Sequence, residues 1–189
     1  FINEEAIKLR SECEGFATIQ HETTQPATWT FPTIARPSLS YLSGMRAYKA
    51  SRGGGSRWHA ACDLYRVTNE AAVSVAAGQV IRSQYYFYQG TYAIEVRHTG
   101  GKVVRYGEIT GKSAPGTGVN QTVKAGQTLG YIGKVNSGCC TPMLHFEMYS
   151  GTGSGNLTQS GNKFNRRSDL LDPSPYLRDW EKAKFGTSY

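Results

Sequence analysis

The stretch "TPMLHFEMYS", residues 141–150, alternates with a period of two. Leu144, Phe146 and Met148 fall on one face of an extended chain, and Met143, His145 and Glu147 fall on the other. That is the pattern of a strand with one face in a core. His145 is therefore expected to face something other than the core. A partner for it must come from elsewhere in the chain.

The segment "RWHAACDLYR" offers one. His59 and Asp63 are four residues apart, and on a strand an even separation puts both side chains on one face. Ala60, Cys62 and Leu64 then face the other way, which argues against Cys62 as a metal ligand. His59, Asp63 and the distant His145 make a set of two imidazoles and one carboxylate. Zinc takes such ligands tetrahedrally, and three protein ligands leave one position for water. An open position is a catalytic arrangement, because the metal makes water acidic enough to attack a carbonyl near neutral pH.

Working outward, short strand-like runs alternate with glycine turns from Trp58 onward. With 22 glycines and 12 tyrosines in 189 residues, the composition favours a β-rich, loop-rich chain. The segments "VAAGQVI" (75–81) and "VKAGQTL" (123–129) echo one another. Two similar glycine turns suggest a mainly β, antiparallel sandwich or barrel-like sheet. Residues 110–120 and 150–169 are Gly/Ser/Asn-rich loops, expected as groove walls. "NEEAIKLRSECEGF" has helical spacing, so a short N-terminal helix is expected. Residues 21–40 hold three prolines and read as an extended lead-in that wraps the domain. "DWEKAKF" suggests a short C-terminal helix. The expected organisation is an extension over 1–40, one domain over 41–178 and a tail over 179–189.

Charge and cysteines bound the setting. A net charge of +7 favours polyanionic surroundings. There is no zinc-finger spacing and no helix-turn-helix signature, so a nucleic-acid role rests on charge alone. An anionic bacterial envelope satisfies the same charge. No apolar run reaches the roughly 20 residues of a membrane span. The chain begins on Phe1, as a mature form or an excerpt would. Cysteines stand at 13, 62, 139 and 140. Neighbouring Cys139 and Cys140 are expected to bond each other only with strain, and either could pair with Cys62 or Cys13.

The order of segments resembles the M23 family of zinc metallopeptidases, the lysostaphin/LytM-type peptidoglycan endopeptidases. "YLSGMRAYKASRGGGSRWHAACDLY" is similar to the family's opening, and "AAVSVAAGQVI" to its first strand pair. "TYAIEVRHTGGKVVRYGEI", "VKAGQTLGYIG", "PMLHFEMY" and "DPSPYL" come after them in the family's order. The resemblance covers residues 42–177 and implies a LytM-type fold with one zinc ion per chain, held by His59, Asp63 and His145. It also implies two catalytic histidines, and both are replaced. Met143 stands at the first histidine of H-x-H, and Glu108, in "RYGEI", stands at the other. A carboxylate near a water on zinc is a competent general base, so Glu108 is the candidate catalytic residue. The competing reading is a solvent-exposed glutamate at a strand end. Glu108 is expected to share a face with Val104 and Tyr106; Tyr106 is a candidate for the oxyanion, against the reading of an ordinary packed tyrosine. Glu147 is a candidate for orienting His145. His98 reads as structural, and His21 as a solvated loop residue, with reach to the site as the alternative.

What the resemblance implies is a zinc-dependent hydrolase of a peptidoglycan amide bond, an endopeptidase first. A wall amidase, or a zinc-stabilised wall-binding or regulatory module without activity, are the alternatives. The expected partner is peptidoglycan, the expected place extracytoplasmic and the expected state monomeric. Growth enzyme, phage component and antibacterial toxin all remain open at this level.

Overall fold

A computed structural model describes residues 28–189. The expected N-terminal helix, Cys13 and His21 lie outside the described residues.

The central element is the stretch that alternates so regularly. Met143–Tyr149 forms strand β10, and all seven of its residues are buried. Leu144, Phe146 and Met148 enter the main core with Leu64, Ile94, Val96, Val104 and Tyr106. The other strands, in chain order, are β1 (Ser51–Arg52), β2 (Arg57–Trp58), β3 (Cys62–Tyr65), β4 (Ala71–Val73) and β5 (Gly78–Tyr88). They continue with β6 (Thr91–His98), β7 (Val103–Ile109), β8 (Thr122–Val123), β9 (Thr128–Tyr131) and β11 (Leu170–Leu171). The large sheet runs β11-β10-β7-β6-β5-β8, with β3 also on β10. Its pairings are antiparallel. The fold is thus mainly antiparallel β, as the turn-and-strand pattern predicts.

The internal echo has a structural counterpart. Each copy carries the chain between the large sheet and a two-stranded sheet, so that β4 pairs with β9 while β5 pairs with β8. Ser74 and the Gly126–Gln127 turn exchange backbone hydrogen bonds where the two connections cross.

The expected boundaries do not coincide with breaks in packing. Phe31 is wholly buried in the main core, and Thr33 bridges to Ala72. The described part of the lead-in therefore belongs to the domain, wrapping it as its prolines suggest. Helix α1 spans Ser174–Phe185, starts before residue 179 and buries Leu177 and Trp180. Trp29 stacks on Trp180 with 5.1 Å between ring centroids. Buried Glu181 accepts from Arg36 Nε (2.7 Å) and Tyr41 Oη (2.9 Å). A buried carboxylate is tolerable only when paired in this way, so lead-in and helix lock one another. Gly186 ends α1 in the left-handed region (φ 76°) and donates to the Lys182 carbonyl, as a helix C-terminus commonly does.

Cys139 and Cys140 are bonded to each other, contrary to the pairing expected from their adjacency. Cys62 is free, buried and 3.4 Å from the Ser174 hydroxyl. Burial pushes its thiol up to about 12, which suits an inert core residue.

Candidate metal centre and cleft

The register of β3 on β10 assembles the site. Asp63 and His145 are direct Cα partners across this antiparallel pair. Their side chains therefore rise side by side on the face away from the core. His59 is not on that strand, as the four-residue spacing suggested; it lies in the connection between β2 and β3. Its place is fixed by two backbone bonds to the 47–50 turn, His59 N to the Ala50 carbonyl and Lys49 N to the His59 carbonyl. His59 Nε2 lies 3.1 Å from Asp63 Oδ1, and His145 Nδ1 lies 2.9 Å from the same oxygen. The two ring nitrogens are 3.4 Å apart.

Each imidazole has its other nitrogen engaged. His59 Nδ1 lies 2.9 Å from the Ala47 carbonyl, and His145 Nε2 lies 2.9 Å from Glu147 Oε1. Both contacts suit an N–H, so the inner nitrogens are the ones that would offer lone pairs to a cation, beside the carboxylate oxygen, once their protons are displaced. That donor set fits a cation. Zinc bonds of about 2 Å at tetrahedral angles separate ligand atoms by about 3.3 Å, close to the separations seen. All three residues are buried.

The protonation balance points the same way. Burial would raise Asp63, yet hydrogen bonds from His145 and His59 outweigh it and hold the carboxyl at about 2. Burial would lower His145, but its bonds to Asp63 and Glu147 push it up to about 9. A bound metal ion would replace the proton that these carboxylates otherwise hold on His145.

Glu147 orients His145 from below. It is fully buried and receives four donors: His145 Nε2 and Arg166 Nε on one oxygen, Arg105 Nη1 and the Tyr149 hydroxyl on the other. Burial opposes its charge, but Arg105 and Arg166 hold its carboxyl well below the usual range. Arg105 in turn pairs with Glu95 at 3.1 Å. The sequence-level expectation for Glu147 thus has its geometry. What the sequence did not reveal is the Arg105–Tyr149–Arg166 cage that keeps it ionised.

Glu108 lines the same cleft, and Tyr106 does not. The expectation that both share a face fails because of a bulge. Tyr92 pairs with Ile109 and Ile94 with Tyr106, so β7 carries one residue more than β6 between those pairs. An extra residue inverts the alternation beyond it. Tyr106 keeps the core side, where its hydroxyl accepts from Val75 N (3.0 Å) and lies 2.9 Å from His98 Nε2. Tyr106 is therefore a core residue with no access to an oxyanion. His98 is structural, with burial lowering it to about 4. Glu108 sits in the bulge at φ 57°, a left-handed conformation that costs a non-glycine residue roughly 1–3 kcal/mol. It is buried rather than solvent-exposed, and burial pushes its carboxyl up to about 7 against the opposing charge of His145. Gly107 has its own reason: a Cβ there would lie 2.9 Å from Phe87 Cε1 and 3.3 Å from the His145 ring. Met143 is buried and does not line the cleft.

The cleft measures about 510 Å³. Thr158, Phe164 and Arg166 of the 150–169 loop form part of its wall, as expected for that loop. The 110–120 loop does not; its residues line a separate hollow of about 270 Å³ beside Gln84. The sequence reading also missed the cleft's arginines, which come from three separate segments: Arg52 and Arg57 from one hairpin, Arg82 from β5 and Arg166 from the 150–169 loop. The aromatic run Tyr85–Tyr88 was the available signal, since all four of its members line the cleft.

Comparison with known proteins gives a family and a fold. A family model described as "Peptidase family M23" matches residues 57–159. None of the curated proteins compared matches the chain. The catalytic domain of the antimicrobial peptidase lysostaphin from Staphylococcus simulans superposes with a TM-score of 0.53 at 23% identity, covering 69% of this chain and 88% of that one. The structure of cbpa from L. salivarius REN gives 0.57 at 23% identity, covering 81% and 96%. LytU gives 0.51 at 18% identity, covering 88% and 97%. At these identities the likeness is one of fold. The chain spans only 49% of the solution structure of lysostaphin.

Proposed function

The chain belongs to peptidase family M23, and on that premise we propose that it is a zinc-dependent hydrolase of an amide bond in bacterial peptidoglycan, acting outside the cytoplasm as a cross-link endopeptidase. The observation that carries this is the convergence of His59, Asp63 and His145, with the outer nitrogen of each ring beside an acceptor and the inner one turned to the Asp63 carboxylate. A domain that had abandoned the metal would have no need to keep two imidazoles facing one another beside a carboxylate.

A zinc ion held by these three residues supplies Lewis acidity and makes water a nucleophile at neutral pH. The chain's own residues do the rest. Glu147 fixes the ring of His145 and stays ionised under its four donors. Glu108, buried in the wall of the cleft and raised to about 7, takes the proton from the attacking water and returns it to the leaving amine. That rise belongs to the metal-free protein; a dication beside the carboxylate would bring it back down, so that Glu108 is ionised near neutral pH and able to accept the proton. The strained backbone at Glu108 fits this role, since strain of that kind gathers at functional sites.

A second reading is favoured by Met143, which is buried and can donate nothing to an oxyanion. On that reading the domain binds the wall through an intact metal centre and does not cut it. The two are separated by incubating purified peptidoglycan with the protein, with and without chelator, and identifying released fragments by mass spectrometry. Free stem-peptide amino groups released only with metal present support the endopeptidase, and sugar-linked cleavage supports an amidase. A zinc-replete protein that releases nothing from several wall types overturns hydrolysis in favour of binding.

A further inference from the structure

The cleft carries more positive charge than its own acids use. Arg52 and Arg57 are direct Cα partners across the β1–β2 pair, and both line the cleft. Like charges placed opposite one another on antiparallel strands are destabilising, so the arrangement needs a reason. Arg52 has its nearest carboxylate in Asp63, at 3.6 Å, acts on Glu108 as well, and donates to the Met45 carbonyl. The Asp63 carboxylate is already held by His59 and His145 at 3.1 and 2.9 Å. Arg57 forms no ion pair among the described residues.

A third guanidinium, Arg82 on β5, is similarly underused. Its closest carboxylate is Glu95, at 3.8 Å. The same Glu95 oxygen already accepts from Arg105 at 3.1 Å and from the Tyr85 hydroxyl at 2.6 Å. The Arg82 guanidinium lies flat on the Tyr85 ring, 3.5 Å from its centroid, with the side chain half exposed to the cleft. Stacking of this kind holds the fork rigid while leaving its donors free. Arg166, by contrast, is turned away to Glu147 and the Asn165 carbonyl.

We propose that the cleft selects substrates bearing a free carboxylate beside the cleaved amide, and that Arg57 and Arg82 receive it. The proposal rests on the peptidoglycan reading above and narrows it to wall chemistries whose stem carboxyls are not amidated. The chemistry is general: planar guanidinium forks match carboxylates in two parallel bonds, and a concave site of one sign concentrates ligands of the other.

The test compares two forms of one wall preparation. Insoluble peptidoglycan is used native, and with its carboxyls converted to amides by carbodiimide and ammonia. Sedimentation measures binding of the zinc-loaded protein at physiological ionic strength, and fragment release is monitored in parallel. The parent should bind the native wall about ten-fold more tightly than the amidated one. The double variant Arg57→Gln, Arg82→Gln should lose that preference, while its binding to amidated wall stays within about two-fold. A second double variant, Lys124→Gln with Lys182→Gln, removes the same charge from exposed positions outside the cleft and should keep the preference. Zinc content and the thermal transition check that each variant is folded. If the cleft double fails that check, Arg82→Gln alone replaces it, since the side chain is half exposed. Equal binding of the parent to both walls overturns the proposal. So does a lysine variant that loses the preference as fully as the arginine variant. Equal cutting of both walls with equal binding would leave the hydrolase standing without carboxylate selection. A preference in binding with no cutting at all would leave carboxylate selection standing without the hydrolase.

Discussion

Replacing Glu108 by Gln should stabilise the metal-free protein above neutral pH and leave it nearly unchanged in mild acid. Glu108 is 9% exposed, and burial raises its carboxyl from 4.5 to about 7. The folded value lies above the unfolded one, so the native state prefers the protonated form. No cost exists below about 4.5. The cost grows as pH rises through the interval and is complete above about 7. At 1.36 kcal/mol per unit, ionising this group in the folded chain costs roughly 3 kcal/mol. Gln keeps the shape and cannot ionise. The stability gain of Glu108→Gln should therefore be larger at about pH 8.5 than at about pH 5 by roughly 2–3 kcal/mol. Urea denaturation in chelator, read as a change of midpoint at constant slope, measures it. Zinc should shrink the gap, because a dication beside the carboxylate favours its charged form. Profiles for parent and variant that stay parallel from about pH 5 to about pH 8.5 would refute the reasoning and with it the case for Glu108 as a tuned base. In the active protein the same substitution should lower the rate by roughly 10²–10⁴-fold and remove the acidic limb of its pH profile.

Other substitutions divide the metal centre from its surroundings. His145→Ala should lose zinc on dialysis, because two remaining ligands hold it poorly; full occupancy by metal analysis would overturn the ligand assignment. Glu147→Gln should weaken zinc by roughly 10–100-fold and destabilise the fold, since Arg105 and Arg166 lose their shared anion. Competition with a chromogenic chelator and a thermal melt read the two effects separately. Tyr106→Phe should leave zinc unchanged and cost roughly 1–3 kcal/mol, because the Val75 N–H and His98 lose their buried partner. Cys62→Ser should likewise keep its zinc, and a zinc-free but folded variant would show that the cysteine faces the wrong way here.

The sequence by itself determined the parts of this protein that depend on a regular period. Alternation in 143–149 and in 62–65 divides core from site, and the ladder between those strands is regular enough for the division to hold. That made Cys62 a core residue, His145 and Asp63 site residues, and the antiparallel β class legible from the chain alone. Tertiary structure decided the consequences of every break in the period. One extra residue in β7 sent Tyr106 into the core and Glu108 into the cleft, and nothing local marks that bulge, because Glu rather than Gly occupies the left-handed position. The bond between Cys139 and Cys140, and the burial of Cys62 as a free thiol against Ser174, are likewise settled by packing and not by spacing. The charge of the cleft belongs to the same class. Arg52, Arg57, Arg82 and Arg166 look like scattered solvated charges along the chain. They become one field only when a hairpin, a long strand and a distant loop are folded around His59, Asp63 and His145, since like charges have no local pattern that would announce their meeting.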